Sequence, residues 1–267
     1  MKQYSAMSYA DNNGVKIHYE VEGNGPPIIL QHGITGEINI WRLRGYTDEL
    51  KKEHKLILID ARGHGKSDKP HETAAYAPEA MTGDIIKVLD DLGVEKTRYW
   101  GYSMGSMIGF QLLRLHPQRF TSLILGGMSA NLHHSNEERV GEDNTRIFIE
   151  KAFREGVDSA ISLRERAGVV MDEVVKQYYR GLDWGAMHAA FKGITGWRYV
   201  EDSLAGYSTP CLWYAGTLDP FHDGARRGAG LMRSAKFVSI PGTDHNGTMF
   251  SSGLVLPHVK RFLSEVS

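Results

Sequence analysis

The sequence predicts an α/β protein in which a mostly parallel central sheet is wrapped by helices and interrupted by a helical insertion. Three observations carry this. Short continuous apolar runs, Ile28-Ile29-Leu30, Leu56-Ile57-Leu58-Ile59 and Leu123-Ile124-Leu125, have the pattern of strands covered on both faces. They alternate with segments of helical apolar spacing, as in Ile85, Ile86, Leu89 and Leu92, the signature of strands joined by crossover helices. The alternation stops between Ser129 and Tyr207, where charge is dense (Glu137-Glu138-Arg139, Arg164-Glu165-Arg166) and only helical spacing is found, around Ile147 to Phe153 and Val169 to Tyr179.

Taken in order, Tyr4 to Glu22 read as a β-hairpin turned at Asn12-Asn13-Gly14, with Val15 to Val21 alternating in and out. Pro26 and Pro27 end a loop before the Ile28 strand, which stops at Gln31-His32-Gly33-Ile34-Thr35-Gly36. A helix is expected over Ile40 to Lys52, then a strand over Lys55 to Asp60 and an exit loop from Ala61 to Asp68. Pro78 to Leu92 is the next helix, Thr97 to Trp100 a short β-prone run, Met104 to His116 a helix and Ser122 to Gly127 a strand. After the insertion come a strand at Pro210 to Ala215, a helix near Ala225 to Arg233, a strand at Lys236 to Ile240 and a last helix over Leu254 to Val266. The expected organisation is a core of residues 1–128 and 208–267 with a helical cap, 129–207, laid over the sheet's edge.

A chain of 267 residues buries a sizeable core and suits one large domain with an insertion. With 31 basic and 32 acidic side chains and a net charge of −1, nothing points to nucleic acid or an anionic membrane as a partner. Cys211 stands alone, so an intramolecular disulfide and a cysteine-rich metal site are excluded, and its strand context makes it a small packing residue. No stretch has the length of a membrane span and the first residues lack the apolar core of a signal peptide, so a cytoplasmic location is expected. His133 and His134 are adjacent and lack further ligands at helix spacing, so no metal is expected there. No feature of the sequence specifies an oligomeric state.

The stretch Thr97 to Met107 carries the chemistry. Gly101-Tyr102-Ser103-Met104-Gly105 is a Gly-x-Ser-x-Gly pattern between a β-prone run and a helix, the context of a sharp strand-to-helix turn with a serine at its apex. Glycines on either side let the backbone pass close by, while the turn lifts the hydroxyl clear of the sheet. A serine hydroxyl needs a base within reach and a third group to orient that base. In an open parallel sheet such groups belong just beyond the carboxyl ends of strands. Asp219 lies just past the strand ending at Ala215, and His245 follows the last strand, in the order serine, acid, histidine.

With these residues in place the chain resembles the α/β-hydrolase family over nearly its whole length, only the insertion being hard to align. The matching features are His32-Gly33 after a central strand, the Asp60-x-Arg62-Gly63-x-Gly65-x-Ser67 loop, the elbow, Asp219 and His245. The resemblance implies Ser103 as nucleophile, His245 as general base and acid, and Asp219 as the group that orients and stabilises the imidazole. It also implies an oxyanion hole made by the backbone N–H groups of Met104 and Ile34, whose side chains would line the acyl pocket. Asp244, beside the histidine, and Asp223, on the loop after the strand at Pro210, are rival acids. His32 is expected to brace the oxyanion loop, and Arg62, His64 and Asp68 to form a hydrogen-bonded loop outside the chemistry. Trp41, Met128, Trp184 and Trp197 are candidates for the substrate pocket, with core or cap packing an equal alternative for each.

The reaction implied is hydrolysis of a small-molecule carboxylic ester through an acyl-enzyme, with no cofactor. The same residues serve lactonases, carbon–carbon bond hydrolases and perhydrolases of the family, whereas a serine at the elbow argues against the epoxide hydrolase and haloalkane dehalogenase branches. A non-catalytic receptor of the same fold is the alternative from another class.

Overall fold

The computed structural model describes residues 8–130, 136–197 and 200–266. Among them the sheet has eight strands: β1 (Ser8–Asn12), β2 (Val15–Glu22), β3 (Pro27–Gln31), β4 (Lys55–Ile59), β5 (Thr97–Tyr102), β6 (Phe120–Gly126), β7 (Cys211–Gly216) and β8 (Ala235–Ile240). Their order is β1-β2-β4-β3-β5-β6-β7-β8, with β1 and β2 antiparallel to their neighbours and β3 to β8 parallel. Of the first hairpin strand, expected from Tyr4, the part from Ser8 on lies within the described residues. Its turn uses Asn13 and Gly14 at φ 56° and 85°, and the Gly14 N–H donates to Asp11 Oδ1 at 2.7 Å. Two consecutive left-handed residues suit the twist of paired strands, which is why asparagine and glycine stand there.

Both faces of the sheet are covered. Ile29, Ile57, Tyr99, Leu123, Leu125 and Trp213 bury one face, and Ile28, Leu30, Leu56, Leu58, Trp100, Ile124 and Leu212 bury the other. Alternate side chains of one strand therefore enter different cores, and this produces the unbroken apolar runs. On the first face lie α3 (Pro78–Asp91) and α4 (Met104–Leu115); on the second lie α1 (Asn39–Leu43) and α2 (Tyr46–Leu50).

The single helix expected over Ile40 to Lys52 is two short ones. Gly45, at φ 75°, breaks the chain between them, and the break lets Trp41, Tyr46 and Leu50 all reach the same core. Trp41 is accordingly taken up by the core and does not serve as a pocket wall. It is fully buried, edge-on to Tyr46 and Trp100 at 5.5 and 5.2 Å, and its Nε1 has no hydrogen-bond partner.

Between β6 and β7 the described residues form four α-helices, α5 (Asn136–Glu155), α6 (Val157–Arg166), α7 (Glu173–Arg180) and α8 (Trp184–Thr195), and a short 3-10 helix (Glu201–Gly206). Asp172 and Asp183 cap α7 and α8, accepting from Val175 N at 2.8 Å and Ala186 N at 3.0 Å. The remaining helices are α9 (His222–Leu231), α10 (His245–Phe250) and α11 (Ser252–Glu265). The short α10 is not signalled by apolar spacing in the sequence. Asp244 makes it possible, its carboxylate accepting from Gly247 N at 2.6 Å. The adjacent pair His133 and His134 lies outside the described residues. Among the described residues no cluster of histidine, cysteine or acidic side chains could hold a metal, and no helix is long and apolar enough to cross a membrane.

Candidate active site

The sheet order reverses direction at β3. The chain steps from β3 to β4 on one side, then crosses to β5 on the other, so the loops leaving β3 and β5 diverge and open a crevice. Ser103 leaves β5 at that point with φ 54° and ψ −114°, a strained conformation for a residue with a Cβ. The turn is braced from several sides. Ser103 N donates to Gly126 O at 2.8 Å, Ser106 Oγ lies 2.9 Å from Gly101 O and 2.8 Å from Gly126 O, and Tyr99 donates to Gly105 O at 2.7 Å. The flanking glycines are sterically required. A Cβ on Gly101 would stand 2.3 Å from the Gly105 backbone, and one on Gly105 would stand 2.3 Å from Gln31 O at the end of β3.

Three side chains from distant loops meet here. Ser103 Oγ is 3.0 Å from His245 Nε2, and His245 Nδ1 is 2.9 Å from Asp219 Oδ2. A carboxylate only accepts, so Nδ1 carries the proton and the Nε2 lone pair faces the serine hydroxyl. Asp219 is buried after β7, and its other oxygen accepts from Phe221 N at 3.0 Å, which fixes the carboxylate plane. Tyr102, the residue before the serine, donates its hydroxyl to His245 O at 2.5 Å, and the rings of Tyr102 and Phe221 flank the imidazole at 5.4 and 5.5 Å. Burial works against a charged His245, but the Asp219 carboxylate and, to a smaller extent, that of Asp244 together more than offset it, so the imidazole titrates above its ordinary value.

The rival acids are engaged elsewhere. Asp244 caps α10, and Asp223 is on the surface, 2.9 Å from His222 Nδ1 and 3.5 Å from Arg226.

The loop after β3 lies against the serine: a Cβ on Gly33 would sit 3.2 Å from Ser103 Cβ. His32 is fully buried; its Nδ1 donates to Gly33 O at 2.8 Å while Nε2 accepts from Ala61 N at 3.1 Å. Accepting at Nε2 requires the neutral tautomer, in keeping with burial lowering the pKa of this ring. Gly33 O also accepts from Gly36 N at 3.0 Å. With that carbonyl held by two donors, the trans peptide sends the Ile34 N–H the opposite way. Met104 is the first residue of α4, so its N–H has no intrahelical acceptor.

The loop after β4 is a structural network. Arg62 binds Asp84 through Nε at 2.7 Å and Nη2 at 2.6 Å, with both groups buried, and His64 Nδ1 donates to Arg62 O at 2.9 Å. Burial pushes His64 down to about 3, so it stays neutral. Asp68 accepts from Lys16 N at 2.7 Å, and Asp60 from Ile38 N at 2.8 Å and Lys66 N at 3.0 Å.

The remaining pocket candidates are placed as follows. Trp197 packs into the core and donates to Tyr76 O at 2.8 Å, which ties the end of the insertion to the segment before α3. Met128 is buried in the same core. Trp184 donates to Tyr179 O at 3.0 Å and packs with Ile149, Met187 and Phe191, the cluster against which Ile34 also rests. Met104 is buried in the main core. Tyr178, which the sequence reading did not single out, donates to Thr35 O at 2.7 Å across 143 residues of chain.

Fold and crevice together define a parallel-sheet scaffold with a serine at a strand-to-helix elbow and a histidine and carboxylate aligned behind it. The chain belongs to the α/β hydrolase fold family, whose sequence profile matches residues 26–251. It is similar to a putative 2-succinyl-6-hydroxy-2,4-cyclohexadiene-1-carboxylate synthase from Bacillus subtilis (27% identity over 56% of this chain and 55% of that one). It is also similar to a putative carbamate hydrolase from Azorhizobium caulinodans (33% identity over 45% of this chain and 43% of that one). These matches span about half the length of those relatives. Among solved structures, a thermophilic esterase from Thermogutta terrifontis superposes with a TM-score of 0.80 at 24% identity, covering 98% of this chain and 99% of that one, a likeness of fold.

Proposed function

We propose that this chain is a serine hydrolase of small-molecule carboxylic esters, working through an acyl-enzyme. The observation that carries the reading is the unbroken hydrogen-bonded chain from Ser103 Oγ through both nitrogens of His245 to Asp219. In the proposed reaction His245 Nε2 takes the Ser103 proton as Oγ attacks the carbonyl carbon, and Asp219 stabilises the imidazolium. The tetrahedral oxyanion is received by the N–H groups of Met104 and Ile34, each such donor being worth about 2.7–4 kcal/mol. The imidazolium then protonates the departing alkoxide. Water, deprotonated by the same nitrogen, releases the acid and restores the serine.

Membership of the hydrolase family supports the reading, as does the relative named a putative carbamate hydrolase. Residues 129–207 are proposed as a cap, with the acyl pocket between Ile34 on the core side and Trp184 on the cap side. Lactones, vinylogous diketones and peroxide as acceptor are outcomes of a substrate panel on the same residues.

The test is turnover of p-nitrophenyl acetate and butyrate as a function of pH. Only neutral His245 can accept the serine proton, and the carboxylate beside it raises its titration. Activity is therefore lost on acidification, with the midpoint of kcat/KM above the ordinary histidine value of about 6.5. No turnover at any pH would favour a binding protein. A profile flat from pH 5 to 9 would remove His245 as the base.

A further inference from the structure

We propose that Tyr178 is a positioning residue through which the seating of α7 on the core sets the oxyanion loop; this rests on the hydrolase reading above. α7 lies at the surface: none of its residues is fully buried and Val174 is 79% exposed, although Tyr179 packs against Phe148 and Trp184 and Lys176 pairs with Glu165. Yet its Tyr178 hydroxyl reaches the core and donates to the carbonyl of Thr35 at 2.7 Å. Thr35 is the neighbour of Ile34, the proposed oxyanion donor. Among the described residues it is one of three non-glycine residues at positive φ, at 59°.

A β-branched side chain there is strained and persists only when its surroundings hold it. Two peptides flank the Ile34–Thr35 unit and differ in what holds them: Gly33–Ile34 carries the Ile34 N–H, and Thr35–Gly36 carries the Gly36 N–H. Gly33 O is fixed from within the core, by His32 Nδ1 and Gly36 N. Thr35 O is fixed from the insertion, by Tyr178. Ile34 lies between these anchors, and its side chain packs against the main core on one side and against Ile149, Met187 and Phe191 of the insertion on the other. When the Tyr178 bond is released, Thr35 relaxes towards negative φ and the Thr35–Gly36 peptide turns; its Gly36 N–H then leaves Gly33 O, and the Gly33–Ile34 peptide, held only through His32 Nδ1, no longer keeps the Ile34 N–H where it meets a developing oxyanion. The insertion thereby helps to complete the catalytic geometry as well as to cover it. Such a loss falls on the transition state and not on ground-state binding, so it appears in kcat.

The experiment is a double-mutant cycle with Tyr178→Phe and Thr35→Gly, read as kcat and KM for p-nitrophenyl butyrate, with melting temperature measured on each protein. Losing one neutral hydrogen bond predicts that Tyr178→Phe lowers kcat about tenfold, with KM within about twofold and the protein still folded. Glycine adopts positive φ without strain, so in the Thr35→Gly background the same change costs less than about threefold. Unchanged kcat in Tyr178→Phe overturns the proposal. So does a loss that persists undiminished beside Thr35→Gly, or one that follows KM or the folded fraction. Ser103→Ala, run alongside, separates the failures. Retained turnover there overturns the hydrolase reading and this inference together, whereas an inactive Ser103→Ala with a full-rate Tyr178→Phe removes the role of Tyr178 alone.

Discussion

Ser103→Ala is expected to lower kcat for p-nitrophenyl butyrate by about 10⁶-fold, the scale seen when the serine of an unrelated triad is removed. The hydroxyl is the only atom at the apex of the elbow able to form the acyl bond, and His245 Nε2, 3.0 Å away, would be left without a nucleophile to activate. Water activated by the same imidazole could still use the backbone donors, so a residue of about 10³–10⁴-fold over the uncatalysed rate is compatible with the account. The substitution removes one oxygen from a residue that makes its backbone bonds independently of its side chain, so stability is expected to change little. Equal rates in the two proteins would remove Ser103 from the reaction.

Asp219→Asn is expected to lower kcat by about 10⁴-fold, while Asp223→Asn and Asp244→Asn stay within about threefold of wild type. The amide at position 219 donates where the carboxylate accepted. It therefore favours the tautomer with the proton on Nε2, which cannot take a proton from the serine. A factor of 10⁴ corresponds to about 5.4 kcal/mol of barrier, far above the worth of an exposed ion pair. Asp223 belongs to such surface pairs, with His222 and Arg226. Asp244 caps α10, and asparagine caps nearly as well as aspartate, so only Asp244→Ala should show an effect, about 1 kcal/mol of stability. Steady-state rates and melting temperatures for the four variants separate these cases. Damage from Asp223→Asn in place of Asp219→Asn would reassign the acid.

Much of this arrangement is legible in the chain itself, and for a reason. Ser103 directly follows a run of strand-forming residues, Asp219 and His245 follow theirs within a few positions, and in a parallel sheet those positions converge at one edge. The choice among Asp219, Asp223 and Asp244 is not legible. All three follow β7 or β8 in the chain, and it is the bond of Asp219 to His245 Nδ1, with the other two carboxylates engaged elsewhere, that separates them. Aromatic residues are equally ambiguous, because Trp41 and Trp197 satisfy an apolar environment whether it is a pocket or a core. The break at Gly45 was hidden because apolar spacing continues through it. The contact of Tyr178 with Thr35 joins residues 143 apart, and the spacing of α7 reveals which face is apolar but not what the polar tip of that face will meet.

Activation of Ser103 by His245 is open to a serine-directed phosphonate, followed by intact-protein and peptide mass spectrometry. One adduct per chain is expected, carried on the peptide containing Ser103, with slow labelling of a His245→Ala protein. An unmodified protein, or an adduct on any other residue, would contradict it.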